Sequence, residues 1–190
     1  MSISMEKEEK NDPNEALIAR IRDRAYNLYE TRQMLCTEAV LTALNQGLEG
    51  GLTDAQTTAM AAPFCAALGE SGCLCGALSG AVMASGLLLG QEHAYRRRTH
   101  MRASARRLHD AFKITHGATC CRALTRKVKD DPKAHFHHCA QLTAQAAEMA
   151  ARLVLEARPE LIDRADNGFL DRRSSAFGGV WLRLVNYFAR

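Results

Sequence analysis

Aromatic residues and prolines are scarce in this sequence. Aromatic side chains make up 6% of its 190 residues, and four prolines occur in all. A β-sandwich draws on β-branched and aromatic side chains, whereas Ala and Leu, which are abundant here, favour helices. No stretch of useful length alternates polar and apolar residues as a strand does. We therefore predict an all-α protein, an irregular bundle of about five main helices.

Two further absences bear on location and partners. The opening residues, MSISMEKEEKNDPNE, are charged and lack the apolar core of a secretory signal. The formal net charge of +4 is too small to indicate nucleic-acid binding without a motif. We expect a cytoplasmic protein that binds no nucleic acid. Seven cysteines in such a chain indicate thiols, metal ligands or redox groups rather than the disulfides of a secreted protein.

The longest uncharged stretch is residues 71–91, SGCLCGALSGAVMASGLLLGQ. It is long enough to span a bilayer, but its Gly, Ser and Cys content keeps it only modestly hydrophobic. We therefore expect a helix buried in the bundle and no membrane span. Small residues recur in it at every fourth position: Gly72, Gly76, Gly80 and Ala84. Such a face allows another backbone to approach closely. Cys75 lies at the predicted start of this helix, where the helix dipole is expected to lower its pKa.

The spacing of apolar residues predicts the other helices. Asn14 is expected to cap the first helix, and a second helix is predicted over residues 33–48. Thr53 or Asp54 can cap a third helix, which Pro63 and Cys65 are expected to interrupt. Later helices are predicted over residues 94–117 and from residue 133 onward.

These elements divide the chain into three predicted parts. Residues 1–13 are predicted to be a disordered leader, and residues 14–165 a four-cysteine helical redox domain. Residues 166–190 are predicted to be a loop followed by a short amphipathic tail. The apolar side of that tail consists of Val180, Trp181, Leu184, Val185 and Phe188. We expect the tail to pack on its own domain or on a second copy of the chain, which would form a homodimer.

Four cysteines mark the starts of predicted helical segments: Cys36, Cys75, Cys121 and Cys139. Helix starts can converge at one end of a bundle, and four thiolates satisfy a tetrahedral zinc ion or an iron–sulfur cluster. Two pairs of thiols can instead form reversible disulfides. No Cys-x-x-Cys occurs, so the spacings of zinc ribbons, thioredoxins, bacterial ferredoxins and covalent haem attachment are absent. The spacing alone leaves all three kinds of site open.

The segments around these cysteines resemble those of a known family. They are residues 36–40 (CTEAV), 75–81 (CGALSGA), 121–125 (CRALT) and Cys139, which stands before a helix. Over about residues 30–157 the chain resembles the C_GCAxxG_C_C family, small redox-active proteins with four hallmark cysteines and a Cys-Gly-Ala-x-x-Gly motif. A related domain lies beside the haem-binding part of split-Soret cytochromes and is associated with an iron–sulfur cluster. The resemblance implies electron transfer or thiol redox chemistry at the four motif cysteines.

The sequence also departs from the pattern of that family. Residues 64–69, FCAALG, occupy the place of a glycine-rich run, and three further cysteines are present: Cys65, Cys73 and Cys120. We interpret Cys65 mainly as core filler. Cys73 and Cys120 neighbour motif cysteines and are additional candidate ligands or resolving thiols. Of the histidines near these cysteines (His116, His135, His137 and His138), His137 or His138 is the best candidate ligand, and His138 directly precedes Cys139.

The sequence thus predicts a redox protein that binds an iron–sulfur cluster through the four motif cysteines and passes electrons to a partner protein. One alternative is a metal-free dithiol oxidoreductase or redox sensor. The other is a helical interaction protein with a structural zinc site. No hydrolase or kinase motif is present, no catalytic residue is predicted, and whether the chain is an enzyme stays open.

Overall fold

The computed structural model describes residues 12–175, which form helices and turns and contain no strand. The all-α prediction is confirmed. Residues 1–11 of the predicted leader and the predicted amphipathic tail lie outside the described residues. The helices are α1 (Pro13–Glu30), α2 (Cys36–Gly47), α3 (Asp54–Ala61), α4 (Cys65–Glu70), α5 (Gly76–Gly90), α6 (Ala94–His116), α7 (Cys121–Leu124), α8 (Pro132–Ala157) and α9 (Asn167–Leu170). Short 3₁₀ turns lie at Ala62–Phe64 and Pro159–Leu161.

The starts of the first helices follow from their capping residues. α1 begins at Pro13, because the carboxylate of Asp12 accepts a hydrogen bond from the backbone N–H of Asn14 at 2.9 Å. The prediction that Asn14 is the cap is therefore wrong, and proline suits the first helical position because its missing N–H is not needed there. Thr53 caps α3, one of the two residues predicted for this role, by accepting from the N–H of Gln56 at 3.3 Å.

The start of α8 changes the position of one motif cysteine. α8 begins at Pro132, and Asp131 caps it by accepting from the N–H of Lys133 at 2.9 Å and of Ala134 at 3.0 Å. Cys139 therefore lies about two turns inside α8. The prediction that each motif cysteine stands near the start of its helix is wrong for this residue.

The third helix is interrupted where proline predicted a break. Pro63 lies in a 3₁₀ turn, and Cys65 begins the short helix α4. Within α4 the backbone from Ala66 to Gly69 is left-handed, with φ between 51° and 62°. The chain therefore reverses its winding beside Cys65 before it reaches the start of α5.

The centre of the bundle is α5, which packs against α2, α6 and α8, while α1 packs against α8 and α2. The small-residue face allows the predicted close approach: a Cβ at Gly80 would lie 2.8 Å from the carbonyl oxygen of Thr37 and 3.0 Å from the Cβ of Val40. Ala84 is fully buried on the same helix. Gly72 does not belong to this face, because it precedes α5 in a turn with φ of +87°.

Two elements at the edge of the bundle depart from their sequence patterns. Of α6 only Ser104, Leu108 and Phe112 are buried, and Ala94, predicted to lie on its apolar side, is exposed. In the region predicted as a loop after residue 165, α9 forms a short helix. Its Phe169 and Leu170 are buried, so this helix completes the core. None of the helices described combines the length and the apolar character needed to cross a membrane.

Candidate redox site

The starts of α2 and α5 lie against each other. The hydroxyl of Thr37 donates a hydrogen bond to the carbonyl oxygen of Gly76 at 2.9 Å, and both groups are buried. A Cβ at position 76 would collide with the sulfur of Cys36 and would lie 2.7 Å from Thr37 Oγ1 and 3.0 Å from the carbonyl oxygen of Phe64. Glycine in the Cys-Gly-Ala segment therefore gives the Cys36 sulfur its place beside the start of α5, next to Cys75.

Two short segments bring Cys75 close to Cys121. The backbone N–H of Cys75 donates to the carbonyl oxygen of Thr119 at 2.9 Å, and the N–H of Arg122 donates to that of Gly72 at 3.1 Å. The guanidinium of Arg122 also donates to the carbonyl oxygen of Ser71 at 3.0 Å. Residues 71–75 and 119–122 thus run side by side and hold the starts of α5 and α7 together.

Tyr29 of α1 and Cys139 of α8 complete the site. The Tyr29 ring stacks on Phe136 with 5.1 Å between the ring centroids. Burial raises the pKa of Tyr29 first, and negative charge on Cys139 and Cys36, its hydrogen bond with Cys139 and charge on Cys121 raise it further. The Tyr29 hydroxyl therefore lies among three of the four motif cysteines. Sequence reasoning did not identify it, because its spacing on α1 is simply that of a core residue.

The electrostatics of the four motif thiols differ. Burial raises the pKa of Cys75 to about 11 and that of Cys139 to about 11, and it also raises the pKa of Cys121. The predicted lowering at Cys75 is wrong. The backbone N–H groups of Leu78 and Ala77 stabilise its thiolate, as expected for a helix start, but burial outweighs them.

Cys36 differs from the other three motif cysteines because its pKa is lowered, and the cause is its contact with Cys65. A hydrogen bond with Cys65 lowers the pKa of Cys36 despite its burial, and the same contact, together with burial, raises the pKa of Cys65. Cys65 is 5% exposed, and its sulfur also lies 3.6 Å from the carbonyl oxygen of Ala61. The interpretation of Cys65 as core filler is therefore incomplete: it is a buried thiol that contacts a motif cysteine.

Cys73 and Cys120 form a separate pair. Cys73 is exposed and Cys120 half-buried, and the two thiols share a hydrogen bond. The Cys120 sulfur also donates to the carbonyl oxygen of Gly72 at 3.0 Å. These two additional candidates contact each other at the surface, beside the four motif cysteines.

The histidines near these cysteines lie at the end of α6 and in the first turns of α8. His116 packs on Phe112 with 4.3 Å between the ring centroids, and burial followed by the charge of His138 lowers the pKa of His116. His138 thus faces the end of α6, and His137 is exposed. The interactions that shift the pKa values of the motif cysteines come from other thiols, Tyr29 and backbone N–H groups.

The cysteine thiols can be compared with the ligands that a single metal ion and an iron–sulfur cluster require. Among residues 12–175, no three His, Cys, Asp or Glu side chains are gathered in a position to hold one metal ion. A zinc ion needs its sulfurs about 2.3 Å from a single point. In an iron–sulfur cluster the thiolates bind different irons, so their sulfurs stand farther apart around a larger group. Four cysteine thiols are the donor type that a cluster needs, and the described residues do not gather three such donors around one ion.

Comparison with known proteins identifies a related family. The family model described as "Putative redox-active protein (C_GCAxxG_C_C)" matches residues 34–153, which is more than half of the chain. The matched range includes all seven cysteines and the Cys-Gly-Ala segment at the start of α5. A search of the curated proteins found no match, and neither did a search of the solved structures.

Proposed function

Because the chain belongs to the C_GCAxxG_C_C family of redox-active proteins, we propose that it holds an iron–sulfur cluster on Cys36, Cys75, Cys121 and Cys139 and passes electrons to a partner protein. One observation carries the proposal. Cysteines that are far apart in sequence come together in the fold: the Cys36 sulfur lies at the start of α5 beside Cys75, and the segment that precedes α5 is hydrogen-bonded to the start of α7 at Cys121. Tyr29 is linked to Cys139, and charge on Cys36 and Cys121 also raises the pKa of Tyr29. A four-cysteine set is the usual ligand set of both common cluster types.

The surroundings of the thiols suit such a ligand set. Without metal, burial holds Cys75 and Cys139 as neutral thiols, because the pKa of each is about 11. Binding therefore releases their protons, so affinity for the metal rises with pH. The cluster, when bound, supplies one-electron transfer; the protein supplies the ligands and the low-dielectric pocket around them.

Two contacts orient the ligands. The Tyr29 hydroxyl is hydrogen-bonded with Cys139, and hydrogen bonds to ligand sulfurs influence the reduction potential of such a centre. Gly76 leaves room for the Cys36 sulfur. Cys75 is buried, whereas Cys36, Cys121 and Cys139 are half-buried. The site therefore has one edge near the surface, where a partner protein can approach.

A metal-free dithiol function is the second candidate, and the contact between Cys36 and Cys65 favours it. A half-buried cysteine whose pKa is lowered by contact with a second thiol is the arrangement of a redox-active pair. A structural zinc site has less support, because within the described part of the chain the ligands for a single ion are not gathered.

The test is anaerobic purification of the full chain, followed by a visible spectrum and analysis of iron, sulfide and zinc in one sample. The Cys75→Ser variant is expected to lose the visible absorbance and the bound iron while its far-ultraviolet circular dichroism stays that of the wild type. The matched control is Cys73→Ser, which changes an exposed thiol two residues away and is expected to keep both. A Cys75→Ser protein that keeps its iron would contradict this ligand assignment.

The same sample separates the other candidates. Wild-type protein that is colourless and free of iron, and in which Cys36 and Cys65 are linked after mild oxidation, would establish the dithiol function instead. Zinc at one ion per chain would establish the structural zinc site.

A further inference from the structure

The surface pair Cys73 and Cys120 is chemically distinct from the four motif cysteines. Neither residue belongs to the four hallmark cysteines, and the two sit on neighbouring segments of the chain that meet only in the fold. The Cys120 sulfur donates to the carbonyl oxygen of Gly72, the residue before Cys73, at 3.0 Å. Cys73 is exposed and Cys120 is half-buried. A small reagent in solution can therefore reach this pair more readily than the buried Cys75.

The backbone already holds the two segments in place. The N–H of Cys75 donates to Thr119 and the N–H of Arg122 donates to Gly72, at 2.9 Å and 3.1 Å. Cys73 lies between Gly72 and Cys75 on one segment, and Cys120 lies between Thr119 and Arg122 on the other. The side chain of Arg122 adds a third bond, to the carbonyl oxygen of Ser71 at 3.0 Å. The two sulfurs therefore lie on segments that the backbone already holds side by side.

We propose that Cys73 and Cys120 form a second redox centre, a surface dithiol that closes to an intramolecular disulfide by exchange with small disulfides of the glutathione type. The proposal is independent of the iron–sulfur cluster, because neither thiol is among the four proposed ligands. It adds a two-electron thiol centre beside the proposed one-electron centre.

The exchange balances with the small disulfide as oxidant. One thiol of the pair loses its proton and attacks a sulfur of the disulfide; the S–S bond of the reagent breaks and one small thiol leaves. The second thiol of the pair then loses its proton and attacks the protein sulfur of the mixed disulfide, which releases the second small thiol. Overall, two protein thiols are oxidised to one disulfide, and the small disulfide is reduced to two thiols.

Arg122 is a positioning residue for this exchange. Its guanidinium lies against Gly72, the residue before Cys73, where an added Cβ would be 2.9 Å from a guanidinium nitrogen. It also ties residues 71–75 to α7 through its bond to Ser71. These contacts keep the two segments, and with them the two thiols, together during exchange.

The experiment uses the full-length chain, reduced and then equilibrated anaerobically with mixtures of reduced and oxidised glutathione. Remaining thiols are blocked with N-ethylmaleimide, and the chain is cut after Lys, Arg and Glu. Residues 71–92 then carry Cys73 and Cys75, residues 114–122 carry Cys120 and Cys121, and the other three cysteines fall on separate peptides. We expect these two peptides to become disulfide-linked as the proportion of oxidised glutathione rises, and tandem mass spectrometry to place the link at Cys73 and Cys120.

Two variants make the result specific. In Cys73→Ser the linked peptides are expected to fall at least tenfold, and Cys120 is expected to retain glutathione because no second thiol resolves the mixed disulfide. Cys65→Ala, in which the pair is intact, is expected to link as the wild type does. A link that involves Cys75 or Cys121 would overturn the proposal, and so would a pair that remains open to N-ethylmaleimide at every glutathione ratio.

Iron content measured on the same samples separates this proposal from the preceding one. A linked pair in iron-free protein supports the surface disulfide even if the cluster proposal fails. Iron-loaded protein whose pair never closes supports the cluster and refutes the disulfide.

Discussion

The four motif cysteines and the Cys73–Cys120 pair are neighbours in the fold, yet their surroundings are opposite. The motif thiols come from separate helices and are buried or half-buried, and three of them have raised pKa values because of burial. The surface pair lies on two short segments outside the long helices, in contact with water. Position relative to the core, and not the type of residue, therefore decides which chemistry each thiol favours.

This contrast explains why one protein can carry both groups. Buried thiols that ionise reluctantly are inert towards solutes but become strong ligands once a metal displaces their protons. Exposed thiols beside an arginine are accessible to exchange with small disulfides. The four predictions that follow test the difference between the two groups, from the largest expected effect to the smallest.

The largest expected effect is a loss of stability at high pH in the metal-free, reduced protein. Cys75 has a pKa of about 11 in the folded chain, above the ordinary value of about 8.5 for an unfolded thiol. The neutral Cys75 thiol stabilises the folded state fully at any pH below its pKa in the unfolded chain. This stabilisation is lost as the pH rises through the pKa of Cys75 in the folded chain. The expected loss between these pH values is about 3 kcal/mol. Urea unfolding at a series of pH values, with reductant and chelator present, measures it.

Two variants separate the buried thiol from the surface pair in that measurement. Cys75→Ala is expected to flatten the pH dependence of the unfolding free energy, whereas Cys73→Ala is expected to leave it unchanged, because Cys73 is exposed. Equal slopes for the wild type and Cys75→Ala would mean that burial does not control the ionisation of this thiol.

The next effect concerns the packing that brings Cys36 to Cys75. Gly76→Ala is expected to lower the unfolding free energy by about 1–3 kcal/mol, because the new methyl group meets Cys36 and the backbone of Phe64. The control is Gly86→Ala on the same helix, where nothing lies within 4 Å of an added Cβ. That change is expected to raise stability by roughly 0.5–1 kcal/mol through helix propensity. A Gly76→Ala protein as stable as Gly86→Ala would show that α2 and α5 do not approach closely.

The smallest expected effect concerns Tyr29, the tyrosine that is hydrogen-bonded with Cys139. Tyr29→Phe keeps the stacking on Phe136 but removes the hydrogen bond that lowers the pKa of Cys139. The expected cost in stability is about 1 kcal/mol. Alkylation of Cys139 in the metal-free protein at mildly alkaline pH is expected to slow, because less of the thiol is ionised. The rate is read from the peptide that carries Cys139.

Arg122→Gln is the counterpart of that variant at the surface pair. Because Arg122 holds residues 71–75 beside α7 through its bond to Ser71, its replacement is expected to slow glutathione exchange at neutral pH and to leave the alkylation of Cys139 unchanged. If each variant slowed both reactions equally, the two groups of thiols would form one coupled site and the comparison would fail.

Much of the fold was predictable because it depends on contacts that are local in sequence. Apolar spacing located the long helices, Thr53 and the proline at position 63 marked boundaries correctly, and the small residues of α5 predicted its close packing. The start of α1 was misplaced because Asp12 and Asn14 both have side chains that can cap a helix, and only the backbone at Pro13 selects between them.

By itself, the sequence determined the all-α class and the family with its four hallmark cysteines. Motif spacing and helical periodicity are local properties of the sequence and need no knowledge of distant contacts. The iron–sulfur cluster, the electron partner and the cytoplasmic location remain predictions. Only the tertiary structure decided that Tyr29 lies among the motif cysteines, that Cys65 contacts Cys36, and that Cys73 and Cys120 form a pair. It also reversed the expected pKa shift of Cys75. A helix start is visible in the sequence, but burial depends on which distant segments cover it.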